Sequence, residues 1–143
     1  HKKTDNVESL ISMLHHDDSA IRYWGIYGLL MLGDDAVPAH QELGEAAFDD
    51  SWNVSVVGAE ILNSLGIKAR AIKAYQRVLG CDYAMLRTIA LTSIDNINGS
   101  AEEFLDICRS IPGNYDEPNY QYDIRALGGL LKKWDIEPST LGI

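Results

Sequence analysis

Three aspartate pairs are the first groups in this sequence with the makings of chemistry. Asp17-Asp18, Asp34-Asp35 and Asp49-Asp50 each set two carboxylates side by side, the hard oxygen donors that a calcium ion takes. Their placement argues against one shared ion. The first and third pairs fall at turns within the expected helix pairs, and the second falls in a connection at the opposite end. Carboxylates at helix starts are favoured by the helix dipole in any case, so capping is the expectation. His15-His16 beside Asp17 lies in one turn, without the spaced ligand set of a zinc site. Cys81 and Cys108 fit no CxxC metal pattern and are too few for a disulfide framework. A bond between them would mean an oxidising compartment. Cys108 falls on an apolar helix face, the usual place of a small buried thiol. His40 aligns with Val7 and Ile72, which makes it a half-buried packing residue rather than a ligand or base. Neither a catalytic residue, a metal ligand set nor a cofactor is expected in this segment.

Arginines are the next candidates. Arg22, Arg87 and Arg125 each open an apolar run just behind a turn. As a ladder they would suit an anion such as a sulfated glycan; as scaffold they would tie turns together. The charge balance leans towards the second, because 21 acidic residues face 12 basic ones for a net charge of −9. The same balance argues against nucleic acid and anionic membranes, which need a basic footprint. The longest uncharged stretch, Tyr23 to Gly33, is far shorter than the roughly 20 residues of a membrane span. The loop Pro112 to Tyr122 carries Tyr115, Tyr120 and Tyr122 with Asp116 and Glu117. Aromatic loops of this kind make contacts such as sugar stacking, or simply seal the last element.

A repeat positions all of these groups. Ile21, Trp24, Gly25, Gly28, Leu29 and Leu32 form the apolar stripe of a helix closed by Gly33. A shift of 33 gives Val54, Val57, Gly58, Ile61, Leu62 and Leu65, closed by Gly66. A further 32 gives Leu86, Ile89, Ala90, Ser93, Ile94 and Ile97, closed one residue late by Gly99. A weaker fourth copy runs Ile124, Leu127, Gly128, Leu131 and fails at Lys132. Between them lie further amphipathic stripes, such as Val7-Leu10-Ile11-Leu14 and Ala101-Phe104-Leu105-Cys108. Caps agree with these boundaries: Asp17, Asp18 and Ser19 before the first inner helix, Asp50 and Ser51 before the second. Ser100 with Glu103 makes a capping box, and Pro38 suits the first turn of the second outer helix. Gly25, Gly58, Ala90 and Gly128 share one repeat position, where small residues let helices approach closely.

The expected fold is therefore all-α: about four antiparallel helix pairs wound into a right-handed α-α superhelix, a HEAT/armadillo-like solenoid. One domain spans 1–143, with repeats near 5–33, 36–66, 68–99 and 101–135 and a tail at 136–143. A start at His1-Lys2-Lys3 with neither Met nor a signal segment reads as a mature product or as a piece of a longer protein, and the second is the expectation.

The run Asp17-x-x-x-Ile21-Arg22, ending at Leu29 and Gly33, resembles a HEAT repeat of the phycobilisome-lyase type. There an aspartate caps the inner helix, and an apolar residue plus arginine open it. Leu86-Arg87 and Ile124-Arg125 keep the pair, whereas Val54-Ser55 departs from it. The resemblance implies that the arginines serve the scaffold, with hydrogen bonds between turns and neighbours. The stretch Leu14 to Gly25, with its Asp-Ser-Ala-Ile-Arg-Tyr-Trp-Gly run, is similar to the start of the C-terminal helical extension of some bacterial sulfatases. That likeness implies a sulfate-ester hydrolase domain upstream and a periplasmic or secreted setting. The sulfatase signature C/S-x-P-S-R is absent from this segment.

One helix stands out. Beside its core stripe, the first inner helix carries Tyr23, Ile26, Tyr27, Leu30 and Met31, so it is apolar all round, as helices buried on every side are. Those five residues are the candidate docking interface for a preceding catalytic domain of the same chain, with residues 1–16 or a second copy as other coverings. The expected function is a non-catalytic scaffold and interaction module, as the C-terminal region of a sulfatase. The alternative is a free-standing HEAT-repeat adaptor that binds a protein partner.

Overall fold

The structure is a computed structural model that describes residues 2–111 and 121–142, with side chains over 6–111 and 122–142. Every regular element among the described residues is helical. In order these are α1 (Lys2–Leu14), α2 (Ser19–Leu32), a 3-10 segment (Gly33–Ala39), α3 (His40–Ala46), α4 (Trp52–Ser64), α5 (Lys68–Leu79), α6 (Ala84–Asn96), α7 (Ala101–Cys108), α8 (Gln121–Lys133) and a closing 3-10 turn (Pro138–Leu141). The chain divides into two compact units, His1–Ala74 and Tyr75–Ile143.

Local chemistry explains the helix starts. The Asp18 side chain accepts from the Ala20 N–H at 2.8 Å, capping α2. Ser100 caps α7: its hydroxyl accepts from the Glu103 N–H and donates to the Glu103 carboxylate at 3.2 Å, so the two residues expected to form a capping box do meet. Ser51 occupies the cap position of α4 without a side-chain cap bond; Asp49 takes the Ser51 N–H instead, at 2.8 Å.

The helix ends repeat more faithfully than the starts. Behind α4, α6 and α8, Gly66, Asn98 and Asp135 adopt left-handed φ values of 80°, 52° and 58°. The next residue in each case donates back to the helix: Ile67 to Leu62, Gly99 to Ile94, and Ile136 to Leu131. This is the Schellman closure, which satisfies carbonyls that a helix end leaves open. Gly99 is therefore not the left-handed residue behind α6; Asn98 is. Gly99 serves close packing instead, because a Cβ there would come within 2.7 Å of the Phe104 ring. Pro38 also departs from expectation. It lies inside the 3-10 segment, and α3 begins only at His40.

In the first unit, α1 and α2 form an antiparallel hairpin. A Cβ on Gly25 would meet Met13 Cβ at 2.8 Å and the Leu10 carbonyl at 3.0 Å, and one on Gly28 would meet the Leu10 side chain. Gly58 brings α4 still nearer to the end of α3, since a Cβ there would lie 2.7 Å from the Ala47 backbone. Close approach thus explains Gly25 and Gly58, whose flexibility costs about 1 kcal/mol inside a helix. Gly128, at the fourth equivalent position, faces open space. In the second unit α6 and α8 run parallel. Arg87 pairs with Asp123 near their N-terminal ends, and Lys133 reaches Asp95 and Asn98 near their C-terminal ends. Tyr75, Ser93 and Phe104 join in the core there, with Tyr75 Oη and Ser93 Oγ 2.7 Å apart.

Candidate interaction surface

The face of α2 that α1 covers is set by Gly25 and Gly28, and it determines which side chains are left outside. Trp24, read from the sequence as core, is 61% exposed, Tyr27 is 39% exposed and Met31 is 72% exposed. Their i, i+3, i+7 spacing puts them on one line along the helix. Ile26, read as a docking residue, is fully buried with Leu29 and is not available to a partner. Tyr23 and Leu30 are half-buried at the margin of the line. The sequence reading misplaced the face because it ranked residues by apolarity; the two glycines that admit α1 were the better guide.

The rings on this line are ordered against one another. Tyr23 stacks on Tyr27 at 6.0 Å, Trp24 meets Tyr27 edge-to-face at 6.1 Å, and Tyr23 meets Trp24 edge-to-face at 5.6 Å. These are favoured aromatic geometries. They set the three rings against one another on the exposed side of α2.

Beside this line, Arg22 spends its guanidinium on the fold. Nη1 donates to the carbonyls of His16 and Asp17 at 3.0 and 2.9 Å. Nε and Nη2 form a two-pronged bridge to Asp49 at 2.9 and 3.0 Å, and Nη2 also reaches Asp50 at 2.9 Å. The hydrogen bond to Asp49 raises the Arg22 pKa further. Burial works to raise the pKa of Asp49, but the bonds from Arg22 and the Ser51 N–H outweigh it and hold the carboxyl below the usual range. Arg87 makes the equivalent connection in the second unit, bonded to Asp123 at 2.8 Å with both side chains fully buried, and to the Cys81 carbonyl. Arg125, the third arginine of the set, is exposed, and the turn before its helix lies outside the described residues. The two internal arginines are thus committed to turns and carboxylates.

Arg22 thus brings the Asp17-Asp18 turn and the Asp49-Asp50 pair together, and the remaining candidates stand apart from them. Asp17, Asp18, Asp34, Asp35 and Asp50 are exposed, while Asp49 is tied to Arg22. No group of three His, Cys, Asp or Glu side chains that could hold a metal ion occurs among the described residues. His40 is exposed rather than half-buried, at the first position of α3. Cys81 and Cys108 are free thiols; Cys108 is buried, and burial pushes its thiol up to about 12. Tyr122 is 58% exposed, while Tyr115 and Tyr120 lie outside the described residues. No helix among the described residues is long and apolar enough to cross a membrane. A second feature, the groove formed by Phe48, Ala69, Arg70 and Lys73, was missed in the sequence. Its signal was there as the acid-free run from Ile61 to Cys81.

Comparison of the chain with known protein families, characterised proteins and solved structures finds no match.

Proposed function

We propose that the chain is a non-catalytic helical-repeat interaction module that docks a protein surface through Trp24, Tyr27 and Met31. The supporting observation is the exposed, ring-ordered line on α2. Clustered Trp, Tyr and Met side chains are the residue types enriched at the centre of protein interfaces. The helix pairs are read as HEAT-like repeats in a solenoid. The antiparallel α1–α2 hairpin, the parallel α6 and α8, and the recurring arginine and Schellman devices support that reading. Through the resemblance of its Asp18-to-Gly25 run, the partner proposed first is a sulfate-ester hydrolase domain preceding this segment in the same chain. Tyr27 and Met31 belong to the expected interface, Trp24 joins it, and Ile26 leaves it.

The test uses the upstream region of the parent reading frame, expressed separately and titrated against this chain. The variant Trp24→Ser, Tyr27→Ser, Met31→Ser should keep the far-UV spectrum of the parent chain and bind at least about tenfold more weakly. Unchanged binding by the triple variant would remove the docking role of α2. An upstream region without C/S-x-P-S-R would remove the sulfatase partner and leave the adaptor.

A further inference from the structure

We infer that the groove formed by Phe48, Ala69, Arg70 and Lys73 docks an acidic peptide segment of a partner protein, with a carboxylate on Arg70 and Lys73 and an apolar side chain on Phe48. This surface is separate from the α2 line and does not depend on it.

Charge first marks the place. From Ile61 to Cys81 there is no acidic residue, yet Lys68, Arg70, Lys73 and Arg77 fall within that run, which leaves the remainder of the chain at −13. An isolated positive site in an acidic field selects its ligand. Dense polyanions such as nucleic acid or sulfated polysaccharide are repelled at long range, whereas a short peptide with a few carboxylates is held by local contacts.

Geometry then shows a prepared arginine. Arg70 Nε donates to the Gly44 carbonyl at 3.1 Å, and its guanidinium carbon sits 5.4 Å from the centre of the Phe48 ring. Gly44 makes the room, because a Cβ there would lie 3.2 Å from Cζ and Nε of Arg70. The cation–π contact and the carbonyl bond orient the guanidinium, and the Nη donors remain to grip a carboxylate in the two-pronged manner arginine favours. Lys73, three residues on, adds an exposed ammonium on the same side of α5. Among the described residues neither Arg70 nor Lys73 is in an ion pair. The groove has a volume of about 490 Å³, and Phe48 is 39% exposed in it, which suits an apolar side chain beside the carboxylate.

The experiment follows amide shifts of the ¹⁵N-labelled chain on titration with three probes. These are a capped Glu-Asp-Phe-Asp-Glu peptide, its uncharged Gln-Asn-Phe-Asn-Gln counterpart, and inorganic phosphate. The acidic peptide should shift Phe48, Ala69, Arg70 and Lys73 saturably. The exposed double variant Arg70→Gln, Lys73→Gln should keep its far-UV spectrum and bind about tenfold more weakly. Absence of saturable shifts at those amides, equal binding of the uncharged peptide, or unchanged binding by the double variant would each overturn the proposal. The same shifts with phosphate at equal concentration would also overturn it, since the groove would then read an oxyanion and not a peptide.

Discussion

Arg22 and Arg87 make the same two connections from the same atoms. Each sends Nη1 to the carbonyl six residues upstream, His16 in one case and Cys81 in the other. Each also sends Nε forward to a carboxylate, Asp49 at 2.9 Å or Asp123 at 2.8 Å. One side chain thus ties the turn before its own helix to the start of the helix two further on, α4 for Arg22 and α8 for Arg87. In the intervening repeat Ser55 stands at that position and, too short to reach forward, donates to the Ala47 carbonyl at 2.6 Å.

The two bridges differ in burial, and so in what their loss costs. Asp123 and Arg87 are fully buried, so removing one charge strands the other. Asp123→Asn should destabilise the chain by about 3–5 kcal/mol in urea unfolding. Replacing both partners with apolar residues, as in Arg87→Met with Asp123→Leu, should recover most of that loss. A double variant as unstable as Asp123→Asn would show that the pair itself, rather than the stranded charge, carries the stability.

Asp49 gives a pH signature with a definite sign. Its folded-state pKa is lowered, so its contribution is full above the ordinary aspartate pKa of about 3.9. It is lost as pH falls through the lowered value. Arg22, with its pKa raised, stays charged throughout that window and adds no slope. The melting temperature of the parent chain should therefore exceed that of Asp49→Asn at pH 7 by the equivalent of about 1.5–3 kcal/mol. The gap should close as pH drops below about 4. Melting curves that run parallel down to the acid limit would refute the linkage.

Gly58 and Gly128 share a repeat position yet should respond oppositely to a methyl group. A Cβ at Gly58 would press on the Ala47 backbone at 2.7 Å, whereas Gly128 has open space around it. Gly58→Ala should cost about 1–3 kcal/mol through forced overpacking. Gly128→Ala should add up to about 1 kcal/mol, because alanine loses less freedom in a helix. Chemical unfolding of the two single variants decides the matter, and a stabilising Gly58→Ala would contradict the close approach of α3 and α4.

Most helix positions and the caps at Asp18 and Ser100 were legible because each depends on a few neighbouring residues with fixed spacing, whereas the scaffold role of Arg22 and Arg87 was expected from the charge balance and the resemblance. Ser100 and Glu103 lie three apart, and so they meet on any helix that begins there. The partners of the arginines were not legible. Asp49 precedes α4, whereas Asp123 lies in the first turn of α8, so no common spacing announces both. Gly128 was misjudged for a related reason: the fourth copy keeps the residue type without the close neighbour that Gly25 and Gly58 have. The buried face was misjudged by a rotation. Trp24 and Ile89 lie outside, at 61% and 37% exposure, while Ile26, Ala59 and Leu91 at their own shared position are fully buried. Residue type ranks Trp24 above Ala59 for a core, but the approach of neighbouring helices decides.

That rotation can be tested on α2 with two truncations of large apolar residues two positions apart. Ile26 is fully enclosed, so Ile26→Ala leaves a cavity and should cost about 2–5 kcal/mol. Trp24 is 61% exposed, and Trp24→Ser removes little buried surface, so the isolated chain should lose no more than about 1 kcal/mol. In a complex with the proposed partner the order should reverse in one respect. Trp24→Ser should weaken association, whereas Ile26→Ala, tested well below its unfolding midpoint, should leave affinity nearly unchanged. Both values come from one set of urea curves and one titration. A large stability loss from Trp24→Ser with little from Ile26→Ala would return Trp24 to the core and take the docking line with it.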